Sequence, residues 1–156
     1  MILALALLLI PPPVEPETVA RALPEAIAAR RAIEARGIGR RGAWPAADRA
    51  EIGRRLEDAR EYFWHGCVVR ALLRSLPTQR QARALTDEIM GECAVYRDEY
   101  RAWTGLSLRA AGRGDYARAA RRQLSVEEAQ VRSRALAAVV RNCNRTAGPP
   151  GTRPEC

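Results

Sequence analysis

Seven side chains between residues 82 and 103 fall on one face of a helix, and their spacing restricts the fold more than any other feature of the chain. Ala82, Leu85, Ile89, Cys93, Tyr96, Tyr100 and Trp103 follow one another at intervals of three or four, which lines one side of an α-helix. Arg83, Asp87, Glu88, Arg97, Asp98 and Arg101 fill the other side. A helix is therefore predicted over about 78–103, opened by Thr78 and Gln81 at the spacing of a capping box.

A second stripe precedes it. Ile52, Leu56, Ala59, Phe63 and Cys67 keep helical spacing, and Trp64, Val68 and Leu72 form an adjoining row. Asp48 and Glu51 mark the start of this helix and Pro77 its stop. Gly105 to Gly114 reads as a connection, and a third helix is expected from Asp115 to about Asn142, with Ser125 and Glu128 marking a place where it could restart. A short helix with Pro24 at its first position and Gly37 as its stop precedes all three. Trp44 is placed to tack the glycine-containing loop 37–45 onto the core.

At 156 residues and 47% hydrophobic content the chain suits one domain. Ala, Leu and Arg dominate, whereas aromatic residues are sparse, which favours helix over strand. The expected fold is all-α: an antiparallel three-helix bundle core with an additional short N-terminal helix, stapled by disulfides.

Ile2 to Ile10 is an uninterrupted apolar run followed by Pro11, Pro12 and Pro13. As a helix it would rise only about 13 Å, against a hydrocarbon core of roughly 30 Å. It matches the apolar centre of a secretory signal better than a membrane span, although no basic residue precedes it. Three parts follow: residues 1–22 as signal peptide and Pro-rich spacer, 23–143 as the helical domain, and 144–156 as an irregular Gly- and Pro-rich tail ending in Cys156. The expected location is the periplasm or the exterior of a bacterial cell, with no transmembrane span.

The cysteines agree with that compartment. Cys67, Cys93, Cys143 and Cys156 contain no C-x-x-C pair, which suits disulfides better than zinc. Three pairings are open. Facing apolar seams favour Cys67 with Cys93, leaving Cys143 to close the tail with Cys156, but a hairpin turning at Pro77 would set Cys67 and Cys93 out of register by nearly two helical turns.

No constellation points to catalysis. His65 is the only histidine, and Cys67, two residues on, points to a different helix face. Asp87, Glu88 and Glu92 lie among Arg83, Arg97 and Arg101, so ion pairs on a solvated face are expected rather than acid–base chemistry. No nucleophile elbow or phosphate loop is present. The chain is therefore read as a non-enzyme that uses no metal or other cofactor.

The formal charge is +8, and Arg supplies every one of the 26 basic residues. Absence of Lys beside heavy Ala and Gly usage matches the codon bias of a GC-rich genome, so the choice of Arg need not reflect its forked geometry. Its distribution is more informative: residues 46–104 carry no net charge, while 105–156 carry +6 and 21–45 carry +4. Arg30, Arg31, Arg40, Arg41, Arg118, Arg121, Arg122, Arg132 and Arg134 are the candidates for contact with a polyanion or partner. In an exported protein that partner would be an anionic component of the cell envelope or an acidic protein. In a cytosolic protein it would be nucleic acid, although no recognised nucleic-acid-binding motif is present.

Overall fold

A computed structural model describes residues 16–75 and 81–146. These fold into helices α1 (Pro16–Arg36), α2 (Ala46–Glu57), α3 (Gly66–Ser75), α4 (Ala82–Glu92), α5 (Ala94–Ala110) and α6 (Tyr116–Thr146), with a π-helical segment, Asp58–His65, joining α2 to α3. The described chain is all-helical, apart from one isolated bridge between Ala43 and Ala111. α5 packs on α2, the π segment and α6; α4 packs on α6 and α3; α1 lies on α5 and the π segment.

The helix predicted from Asp48 starts at Ala46. Pro45 precedes it with no side-chain cap, and Asp48 instead pairs with Arg36 at 3.7 Å and Arg40 at 3.2 Å. Midway, the backbone widens into the π segment, which the Gly66 N–H closes by reaching the Glu61 carbonyl five residues back. A wider turn buries adjacent positions together: Phe63 with Trp64, then Cys67 with Val68. This explains the two adjoining apolar rows. A Cβ at residue 66 would approach the Glu61 carbonyl oxygen to 3.2 Å, a close contact that glycine avoids.

Cys67 and Cys93 form a disulfide with Cα atoms 5.8 Å apart. The expected continuous helix 78–103 is broken at Cys93, whose φ of −90° and ψ of 8° separate α4 from α5. Thr78, half of the expected capping box, lies outside the described residues, and Gln81 makes no side-chain cap. Cys143 is not a free thiol, while its expected pairing with Cys156 lies outside the described residues.

Three boundaries differ from expectation because tertiary packing outweighs local propensity. α5 runs through Gly105 to Ala110, since Leu106 and Ala110 are buried. α6 does not break near Leu124; it is continuous to Thr146 and turns Leu124, Val131, Ala135 and Val139 inward. Ser125 donates to the Arg122 carbonyl within it rather than starting a new helix. The irregular tail therefore starts no earlier than residue 147, outside the described residues, as does the Ile2 to Ile10 run.

α1 begins at Pro16, within the stretch expected to be a spacer, and carries Pro24 in its interior rather than at its first position. A proline there removes one backbone hydrogen bond. Ala20, whose carbonyl is freed, is exposed, so water can satisfy it. Val19, Ala26 and Ile33 recur every seven residues and are all buried; Val19 and Ala26 join Phe63 in a small second cluster, and Ile33 enters the main core. Trp44 does tack its loop to the core: it is 4% exposed, and its backbone N–H donates to the Ala110 carbonyl at 2.8 Å.

Candidate anion-binding groove

The nine arginines expected to act together divide by what already holds them. Arg30 is turned into the fold, donating from Nε and Nη2 to the two Glu99 oxygens at 2.8 and 3.1 Å and from Nη1 to Glu34 at 2.7 Å. Its side chain is 15% exposed and that of Glu99 5%. Arg40 pairs with Asp48, Arg122 with Asp115 at 3.8 Å, and Arg132 with Asp87. Arg31, Arg41, Arg118, Arg121 and Arg134 are exposed, and none has an ion pair among the described residues.

Of the carboxylates expected on a solvated face, Asp87 and Glu92 are paired across helices rather than along one. Asp87 of α4 meets Arg132 of α6, and Glu92 of α4 meets Arg74 of α3. Arg97 of α5 donates to Glu128 of α6 at 2.8 Å. No three His, Cys, Asp or Glu side chains gather as a metal-binding group among the described residues.

A polar cluster sits beside the π segment. Glu127 of α6 accepts from Tyr100 at 2.6 Å and from Arg60 at 2.5 Å. His65 lies between two carboxylates, with Nδ1 3.4 Å from Glu61 and Nε2 3.4 Å from Glu127. The second approach lacks hydrogen-bond geometry, and Trp64 Nε1 is likewise buried without a partner among the described residues. Burial pushes the Tyr100 hydroxyl up to about 12, reinforced by its bond to Glu127. Burial also pushes the Glu127 carboxyl up, but the bonds from Tyr100 and Arg60 outweigh it and hold this group below its ordinary value. The arginine here is neutralised at close range and fastens α6 to the π segment.

The opposite condition prevails where α5 meets the start of α6. A groove of about 380 Å³ opens between them, with Glu34 of α1 at one edge. Its apolar lining is Ala102, Gly105, Leu106, Ala117 and Ala120, and its polar lining includes Arg101, Arg109, Arg121 and Tyr116. Small residues create it: a Cβ at Gly105 would lie 4.0 Å from that of Ala120, so the helices come close and leave open space above. A second cavity, between α1 and the α2–π stretch, sets Arg55 against Glu25 and Asp58 and so lacks a cationic excess.

Arg109 is held in place from behind. Its Nη2 donates to the Gly37 carbonyl at 3.2 Å, and its guanidinium carbon lies 5.6 Å from the centre of the Trp44 ring. Five N–H donors in a planar fork leave most of its capacity unused. The seat depends on Gly37, because a Cβ there would fall 2.0 Å from the Trp44 ring. Arg101 contacts Asp98 at 3.1 Å, and Arg121 has no partner among the described residues.

Of the nine expected arginines the structure thus brings Arg121 to the groove. Arg101 and Arg109 were not among them, because residues 46–104 balance in charge and Gly105 read as the start of a loop. One signal was present: Arg101, Gly105 and Arg109 recur every four residues, which on a continuous helix places them on one face.

No protein-family model, curated protein or solved structure matches the chain.

Proposed function

We propose that this is a non-enzymatic, exported helical protein of the bacterial cell envelope that binds an anionic component there, through the groove between α5 and α6. In this proposal the stretches 46–75, 82–110 and 116–146 form an antiparallel three-helix core with α1 laid along it. The observation that carries it is the convergence of Arg101, Arg109 and Arg121 on one concave surface with a single acid, Glu34, at its edge. Such a surface concentrates anions, and Arg forks bind carboxylate or phosphate in two-pronged fashion. Export is supported by the apolar run before the proline cluster and by the Cys67–Cys93 disulfide. Among the described residues no helix is long and apolar enough to cross a membrane.

Two measurements test this reading. Mass spectrometry of the protein recovered from fractionated cells should give a processed N-terminus in the exported fraction; an intact Met1 in the cytosol overturns export. Sedimentation with phosphatidylglycerol vesicles should exceed that with neutral phosphatidylcholine vesicles and fall with salt. Equal sedimentation with both overturns anion binding in the envelope, and retention of duplex DNA near physiological ionic strength by a cytosolic protein would establish the nucleic-acid alternative instead.

A further inference from the structure

The groove combines features that a polyanion alone would not use, and we infer that its ligand is a single-chain anionic amphiphile: one hydrocarbon tail carrying one carboxylate or phosphate head. This inference rests on the anion-binding reading of the same groove and narrows it to a class of molecule.

Ala102, Gly105 and Ala117 present apolar surface to the groove, above the buried Leu106 and Ala120 that close its base. A free phosphate or a sugar–phosphate chain would leave that surface wet, whereas a hydrocarbon tail removes it from water. A volume of about 380 Å³ lies at the small end of the range for ligand pockets, roughly 300–1,000 Å³, which favours one chain over two.

The rim supplies the counterpart for the head. Arg109 is oriented by Trp44 and the Gly37 carbonyl before any ligand arrives, so little side-chain freedom remains to be lost on binding. Arg121 is exposed and unpaired among the described residues, and so holds its donors free. Glu34 is engaged by Arg30 at 2.7 Å and, as the one acid of the lining, directs an anionic head away from α1 and toward the arginines of α5 and α6. Three cations against one acid suit a head of one or two negative charges. Trp44 is accordingly a positioning residue, acting on the ligand through Arg109.

Titration calorimetry with dodecyl phosphate below its micelle-forming concentration, with dodecanoate as a second arm, tests the inference on the full chain. One molecule should bind per protein, while inorganic phosphate and dodecanol, which supply head and tail separately, should each bind at least tenfold more weakly. Arg121→Gln should weaken the amphiphile about tenfold and Arg121→Lys less. Ala117→Leu, which fills the groove without changing charge, should weaken it at least as much as Arg121→Gln. Both positions are exposed, and thermal melts of each variant check that the fold is kept.

Absence of one-to-one binding, or binding that neither Arg121→Gln nor Ala117→Leu alters, overturns the amphiphile. If phosphatidylglycerol vesicles still bind in that case, the broader anion-binding reading survives; if they do not, both fall. Preference for dodecyl phosphate over dodecanoate would identify the head as phosphate, and the reverse as carboxylate.

Discussion

Arginine stands in two different settings in this protein, and the contrast between the π segment and the α5–α6 groove shows what separates them. Beside the π segment Arg60 meets Glu127, which also takes the Tyr100 hydroxyl, and nearby Arg30 closes on both oxygens of Glu99. Their donors are directed at carboxylates of neighbouring helices, so the charge is satisfied within the fold. At the groove, Arg109 rests on an aromatic ring and one carbonyl, Arg101 touches one exposed carboxylate, and Arg121 touches none among the described residues. The residue type is the same in both places. What differs is the supply of acids on the facing helix, and donors left over are what a ligand can use.

The largest effect is expected at the buried pair. Glu99→Ala leaves Arg30 without its two-pronged partner in a largely buried setting, and should cost about 3–5 kcal/mol in urea unfolding; a loss below about 1 kcal/mol would mean that the pair contributes no more than a surface ion pair. Next in size is the double variant Cys67→Ser, Cys93→Ser. It releases the break between α4 and α5 from the start of α3, and a loss of about 2–4 kcal/mol is expected, read as a lowered melting temperature under oxidising conditions.

Tyr100→Phe removes one bond to Glu127 and should cost about 1–2 kcal/mol. It also has a signature in pH. The folded Tyr100 keeps its proton up to about 12, whereas an unfolded tyrosine loses it near 10. Between these values the native state binds more protons than the unfolded state, so stability present below pH 10 falls as pH rises toward 12. That alkaline decline should be shallower in Tyr100→Phe. Glu127 has the opposite sign: its folded value lies below the ordinary one, so its contribution is present above pH 4.5 and is lost as pH falls further. Glu127→Gln should flatten the acid limb in a denaturation series.

The smallest stability effect belongs to the groove. Arg121→Gln should change unfolding free energy by less than about 0.5 kcal/mol, even though it is expected to weaken anion binding. A large loss of stability in this variant would erase the distinction between the two sets of arginines.

Much of the helical architecture can be derived from residue spacing, because a buried face imposes its period on the sequence. Ala82 to Trp103 and Ile52 to Cys67 each signal a helix independently, and Trp44 reads as an anchor because it is the one large aromatic in a glycine-rich loop. The ends were less legible. Capping patterns at Asp48 and Ser125 gave way to pairs with Arg36 and Arg40 and to a bond inside α6, and Gly105 and Pro24 sit within helices despite their propensities. Local signals of about 1 kcal/mol lose to the burial of side chains such as Leu106, Val19 and Trp64.

Residue order alone shows that the chain is helical, that Cys67 and Cys93 lie on apolar seams, and that basic residues outnumber acids in the two flanks. Those properties are periodic or compositional, and each can be read without knowing which helix faces which. The packing of distant elements brings Cys67 of α3 to Cys93 between α4 and α5, and places Arg121, of the nine expected arginines, at the groove. It also decided that Arg109, seated on Trp44 from a distant loop, joins Arg101 and Arg121 around a groove. The physical reason is that an arginine's role depends on the acids, rings and carbonyls within a few ångströms of its guanidinium, and those neighbours come from helices far apart in the chain.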